Sequence, residues 1–406
     1  MNDVETKIVM INKIKKYDLC IGCGLCEAVL GAETCKMSLN SKGFYEPELK
    51  RAIDTADSKL LKTLCPGIHV ETKPNKGAWG SMKSICEAWA SDNTIRHKAA
   101  SGGVVTSLAI YLLEYKKVDA ILQVGVKDGS YLYNELKISR TKESILANAQ
   151  SRYAPALVFS NIKRILESSS DTYAFIGKPC DIAGVKNYLS LFPQYKDRIK
   201  LFISIFCAGM PSYNATERTW KKSGHMDEPN SLKYRGEGWP GNFCAKFENG
   251  DKYEVSYNDS WGKILGKSLG FRCKICPDGI GMLADVAVGD SWNTKDGYPD
   301  FTESDGKCFC MIRTDKGQQI MNAARNNGYV DVVEMDINRI QEQQSYQYNR
   351  RKLEGWRLLP VMVVTCGLIN FKGLGIWRQA FTADCITGMQ NMIGTFKRLI
   401  KIHYAR

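Results

Sequence analysis

Apolar residues in this chain come in short runs broken by glycine, proline and charged turns, a rhythm of strands alternating with helices. Val104 to Tyr115 is apolar on nearly every face and predicts a buried helix. Val118 to Val126 predicts a buried strand, and Tyr131 to Ser139 a second one after the Asp128-Gly129 turn. Helical spacing covers Thr141 to Gln150 and, after the polar–aromatic break Gln150 to Pro155, Ala156 to Glu167. Two strand–turn–helix units follow. Tyr173 to Ile176 runs into Gly177-Lys178-Pro179-Cys180 and a helix over Asp181 to Leu189; Ile199 to Phe206 runs into Cys207 to Ser212 and another helix. Short strands over Ser231 to Arg235, Phe243 to Glu248 and Lys252 to Tyr257 include an Asn249-Gly250 turn. A strand ending in Gly289-Asp290, a β-rich run over Cys308 to Arg313 and a helix over Lys316 to Asn326 complete the pattern. It predicts an α/β fold, a mixed sheet with flanking helices.

Composition adds metal or redox chemistry. The 406 residues suffice for two or three domains, and 15 cysteines occur without a secretory leader, which places the chain in a reducing cytoplasm. Clustered thiols there read as metal ligands or redox groups before disulfides. No apolar run reaches the roughly 20 residues of a spanning helix. The net charge of +13 fits nucleotide phosphates, an acidic electron-transfer protein, an anionic membrane surface or nucleic acid, against the plainer reading of a solvated basic surface. Nucleic acid is set aside, because basic and aromatic residues do not interleave. Met389 to Arg406 is basic and amphipathic, a solvated terminal helix or a dock for a membrane surface or partner.

Cys20, Cys23 and Cys26 form C-x2-C-x2-C, the first three ligands of a bacterial-type 4Fe–4S loop. The fourth thiolate commonly sits in a distant Cys-Pro, which Cys65-Pro66 supplies; Cys35 is the nearer competitor. This predicts a small ferredoxin-like iron–sulfur module with one cluster. Cys273 and Cys276 form a second C-x2-C. Cys180 and Cys207, each just past a strand end, could join them at one sheet edge, and four thiolates suit zinc as well as iron–sulfur. Cys308 and Cys310 face one side of a strand and read as packing. Ser101-Gly102-Gly103 opens a helix as a cap or an anion site. Arg235, among glycines beside Trp239, could take a phosphate and stack on a ring, or belong to a glycine-rich hairpin. The four histidines lie in no motif, so no catalytic acid is identified.

Together these phrases resemble the beta-subunit family of coenzyme F420 hydrogenases and dehydrogenases. The matching pieces are the cysteine triplet, Ser101 to Val105, Ser151-Arg152-Tyr153, Gly177 to Cys180, Phe206 to Gly209, Tyr234 to Gly236, Arg272 to Cys276, and Ala284-Asp285 with Gly289-Asp290. They span roughly residues 15 to 330 in the family's order. The resemblance implies an FAD site lined by Ser101, Gly102, Gly103, Ser151, Arg152, Tyr153, Lys178 and Arg235, beside a cluster on Cys180, Cys207, Cys273 and Cys276. It implies three regions: an iron–sulfur module over 1–75, a flavin-binding α/β domain over 81–335, and a helical basic region over 336–406. The expected activity is a ferredoxin-dependent flavin oxidoreductase. It would pass electrons through one or two 4Fe–4S clusters to FAD and then to a small-molecule substrate, a deazaflavin coenzyme or a sugar of polysaccharide biosynthesis. The alternative is a non-catalytic electron-transfer subunit of a larger redox complex. A second N-terminal cluster run, present in the richest family pattern, is missing here.

Overall fold

A computed structural model describes residues 10–404. Its centre is a nine-stranded mixed sheet of β1 (Ser84–Ala90), β2 (Ala120–Val126), β3 (Asn134–Ser139), β4 (Ala156–Leu157), β5 (Tyr173–Gly177), β6 (Ile199–Ile205), β7 (Val286–Asp290), β8 (Cys308–Ile312) and β9 (Val330–Glu334). Spatial order is β9-β1-β8-β7-β6-β5-β2-β3-β4. The middle strands β7, β6, β5 and β2 run parallel, while β8, β1 and β9 add antiparallel on one side. Strands buried on both faces need apolar residues at every position. β5 meets this demand: Phe175 enters one core with Ile182 and Val185, and its neighbour Ala174 enters another with Leu108 and Ile203.

Helices cover both faces. α1 (Val104–Glu114) and α2 (Pro179–Leu191) supply Leu108 and Ile182 to those cores, and α3 (Tyr213–Lys221) follows β6. The Ser212 hydroxyl caps α3 by accepting the Ala215 N–H at 3.2 Å. The strands Ser231–Lys233, Phe243–Lys246 and Lys252–Val255 form a separate antiparallel sheet, with Gly250 at φ 89° in its turn.

The N-terminal part is a hairpin, Cys35–Leu39 with Tyr45–Leu49, accompanied by the helices Met10–Lys16, Leu25–Leu30 and Thr55–Leu64. Ile11, Leu25, Leu61 and Leu64 share a core with Phe159 and Ile182 of the α/β region. The N-terminal and C-terminal regions also meet, because His69–Glu71 pairs in parallel with Asn370–Lys372. C-terminal helices α4 (Ser345–Val364) and α5 (Cys385–Tyr404) pack on each other. Ala405 and Arg406, the last positions of the amphipathic stretch, lie outside the described residues.

Two predicted helices are shortened: Thr141 to Gln150 is helical only over Lys142–Ala147. Over Ala156 to Glu167 only Ile162–Glu167 is helical, and Ala156–Leu157 adds to the sheet edge beside β3. Long-range partners override local propensity here. The Asn134 amide donates to the Ala154 and Pro155 carbonyls, each at 3.2 Å, and the Phe159 N–H donates to the Cys23 carbonyl at 2.8 Å.

Candidate functional site

Three cavities share wall residues in succession, the first within the N-terminal region and the other two at the ends of the parallel strands. The first, about 30 Å³, is walled by Cys20, Cys23, Cys26 and Cys65 among Ile14, Leu61 and other apolar side chains. Gly22 and Gly24, at φ 69° and 85°, let the loop coil around it. The Gly22 N–H points at Cys20 Sγ, 3.3 Å away. Cys35 is absent from this wall, and the Cys26 thiol donates to Met37 Sδ at 3.6 Å. Interaction with Cys35, then burial, pushes the Cys26 thiol well up, and Cys26 in turn lowers Cys35. Burial, then the neighbouring Cys65, pushes Cys20 up to about 12 and raises Cys23 well above the ordinary thiol value.

The second cavity, about 50 Å³, collects Cys180, Cys207, Cys273 and Cys276. Its position follows from the topology: β5 and β6 are parallel neighbours, so the segments leaving their ends present Cys180 and Cys207 at one sheet edge. The short helix Phe271–Lys274 and the loop after it bring the other two. Burial pushes Cys207 up to about 12, reinforced by Cys273 and Cys276, and raises Cys180 and Cys273 in the same way. The Met210 N–H faces Cys273 Sγ at 3.4 Å. Arg350, reaching in from α4, donates to the Cys207 and Cys273 carbonyls at 3.2 and 2.8 Å. Cys20 belongs to the walls of both cysteine cavities.

The third cavity, about 310 Å³, falls within the range of small-molecule sites. Ser101, Gly103, Ser151, Arg152, Tyr153, Lys178 and Arg235 line it, as expected, and Lys178 and Cys207 also line the second cavity. Several of these side chains are otherwise engaged. Arg235 forms a bidentate pair with Asp290, at 2.9 and 3.1 Å, and lies over the rings of Tyr257 and Trp292. Its guanidinium is thus committed to Asp290 and is not a phosphate hand. Arg152 donates to Asn134 Oδ1 and to the Leu232 and Tyr131 carbonyls and covers Tyr234, so it braces the wall. Lys178 pairs with Asp181 at 2.6 Å; burial opposes its charge, but Asp181 and the thiols of Cys180 and Cys207 more than offset it.

The Ser-Gly-Gly phrase also works differently from its prediction. Gly103, at φ 76°, is the residue that caps α1, and no side chain closes that end. Gly102 stays out of the cavity wall and gives its N–H to Cys308 Sγ at 3.2 Å, while Ser101 Oγ lies 3.2 Å from the same sulfur. Cys308 therefore lines the cavity, whereas its neighbour two residues on, Cys310, packs against Cys86 across the strands. Sequence reasoning missed Asp290, Trp292 and Tyr257 as wall residues, although Asp290 ends a strand parallel to β6 at the same edge. Gln347, with Nε2 donating to the Cys207 carbonyl and Oε1 buried without a partner, carried no signal.

These donors fit iron–sulfur centres. Each set offers four free thiols, and in both sets backbone N–H groups aim at sulfur, the support such clusters receive. The thiols surround cavities without converging on a point; among the described residues no three His, Cys, Asp or Glu are grouped to hold one metal ion. The large cavity fits a flavin by size and by the uncapped α1 end, which suits a phosphate.

Comparison with known proteins matches two family descriptions to the chain, both of the coenzyme F420 hydrogenase/dehydrogenase beta-subunit. The description of its N-terminal part covers residues 85–163, and that of its C-terminal part covers 170–338. The F420-dependent formate dehydrogenase 1 subunit beta of Methanococcus maripaludis is 29% identical over 245 residues, 59% of each chain. The coenzyme F420 hydrogenase subunit beta of Methanococcus voltae is 25% identical, covering 64% of this chain and 86% of that one. An uncharacterized protein of Methanocaldococcus jannaschii is 25% identical over 77% of this chain and 88% of its own length. A chain of the F420-reducing NiFe hydrogenase complex from Methanosarcina barkeri shares the fold, with TM-score 0.53 and 21% identity over 70% of this chain and 96% of that chain.

Proposed function

The chain belongs to the coenzyme F420 hydrogenase/dehydrogenase beta-subunit family, and on that premise we propose that it is an electron-transfer subunit of a larger oxidoreductase. One observation carries the reading: the three cavities share walls in sequence, Cys20 between the first two, Cys207 and Lys178 between the last two. Cys20, Cys23, Cys26 and Cys65 would hold one 4Fe–4S cluster, and Cys180, Cys207, Cys273 and Cys276 a second. The large cavity would hold FAD, with its phosphates toward the α1 end and the Ser151-to-Tyr153 segment along its wall. When bound, FAD supplies the exchange between one-electron carriers and a two-electron organic partner.

The chain's own residues exclude water, fix the thiols and hold charge. Arg350 places a cation beside the second thiol set, and Lys178 places another between that set and the large cavity. The paired Arg235 and Asp290 keep the aromatic wall of Tyr257 and Trp292 in place. The relatives' names support an organic partner of the deazaflavin class; ferredoxin is the proposed outside donor.

Anaerobic affinity purification of the full chain from its native host tests the reading. A stoichiometric oxidoreductase partner is expected, together with a flavin released by acid. Multiple turnovers by the isolated chain, from reduced ferredoxin to an organic acceptor, would instead establish a self-contained reductase.

A further inference from the structure

The terminal helix α5 has three faces where a solvated helix needs two. Gly388, Thr395 and Leu399 are buried. Gly388 packs so tightly on Trp356 of α4 that a Cβ there would meet the indole at 2.4 Å, and Arg357 of α4 bonds Asn391 at 3.0 Å. A second face carries Ile386, Met389, Ile393, Phe396, Ile400 and Tyr404, all exposed, from 42% at Ile400 to 83% at Tyr404. Steps of three and four residues put these six on one line at 3.6 residues per turn. The third face holds Lys397, Arg398 and Lys401, and the helix contains no Asp or Glu. Just ahead of it, Phe381 is 89% exposed.

We propose that α5 lies in the surface of an anionic lipid bilayer, its apolar line among the acyl chains and its lysines at the headgroups. An exposed apolar line beside a purely cationic face is the signature of an interfacial helix. A second copy of this chain is a poorer occupant, because pairing on this line would set two cationic helices against each other. Spanning is excluded for this helix, since no described helix is long and apolar enough to cross a membrane. The surface also lies beyond residue 338, outside the part matched to the family.

Sedimentation of the full chain with vesicles of phosphatidylcholine, with or without phosphatidylglycerol, tests the proposal. Binding is expected to the anionic vesicles and to weaken as salt rises. Lys397→Gln with Lys401→Gln should lower the affinity roughly 30-fold. Ile393→Glu with Phe396→Glu should abolish binding; the milder Phe396→Ser, expected to weaken it, guards against misfolding, which circular dichroism reports. No binding to anionic vesicles, or binding that these changes leave intact, overturns the proposal. So does a dimer or a stoichiometric protein partner that the Glu variant releases while the native chain ignores vesicles.

Discussion

Glu354 is a carboxyl enclosed beneath the second thiol set, 1% exposed, with Oε2 accepting from Arg351 and Oε1 without a partner. Burial pushes it up to about 7, against the pull of Arg351 and Arg350 and with help from Asp278. An unfolded glutamate titrates near about 4.3. Between those values the folded chain keeps a proton that the unfolded chain has released. Stability from this group is therefore present at low pH and falls as pH rises toward about 7, by at most about 4 kcal/mol. The melting temperature of the native chain minus that of Glu354→Gln should shrink between pH 5 and pH 8, and parallel curves would sink the assignment. Neither this group nor Arg350 was legible in the sequence: Glu354 pairs with Arg351 three positions away, but the burial that raises it comes from the fold, and Arg350 meets Cys207 across 143 positions. Thiols were legible because their spacing is local chemistry; Arg235 was half legible. It lies over rings, but they are the chain's own Trp292 and Tyr257, and its anion is Asp290, 55 residues away, with Trp239 donating to the same carboxylate.

At the scale of elements, the backbone just ahead of α1 passes close to the backbone entering β8. A Cβ on Gly102 would stand 2.7 Å from the Lys307 Cα and 2.9 Å from the Cys308 nitrogen, both backbone atoms that cannot swing aside. Gly102→Ala should therefore destabilise the chain by about 1–3 kcal/mol and reduce flavin retention, since the Ser101 and Gly103 walls move with it. Gly129→Ala, with nothing within 4 Å but φ 78°, separates the strain of a left-handed residue from the strain of close approach. Thermal melts and the flavin-to-protein ratio report the difference; equal losses in the two variants would show that contact with β8 is unimportant. The same contrast explains which elements were legible. Strand β5 is apolar throughout and β6 is apolar but for Lys200 and Ser204, and both end in turn residues, so local pattern and tertiary role agree. β1 alternates as Ser84-Ile-Cys-Glu-Ala-Trp-Ala, lies between β9 and β8, and went unassigned. The edge strand β4 takes its form from β3 and from the N-terminal loop, which local spacing cannot announce.

Across the whole molecule, the question is whether the two thiol sets are separate centres or one. Cys20 walls both cavities, so a single merged site is conceivable from the residues alone. The packing argues for two. Cys23, Cys26 and Cys65 face only the first cavity, among Ile14, Leu61 and Leu64. Cys180, Cys207, Cys273 and Cys276 face only the second of the two and are backed by Arg350. Support differs as well, since the Gly22 N–H serves Cys20 while the Met210 N–H serves Cys273. Two 4Fe–4S centres give about eight irons per chain. Replacing Cys23 and Cys26 together by alanine should leave about four irons after anaerobic reconstitution, with a reducible cluster signal retained. Adding Cys276→Ala should remove it. Iron and sulfide analysis with electron paramagnetic resonance reads both steps. Loss of all iron on the first step would mean one shared centre through Cys20; iron unchanged at that step would return the N-terminal thiols to a structural role, and the row of cavities would then begin at the second.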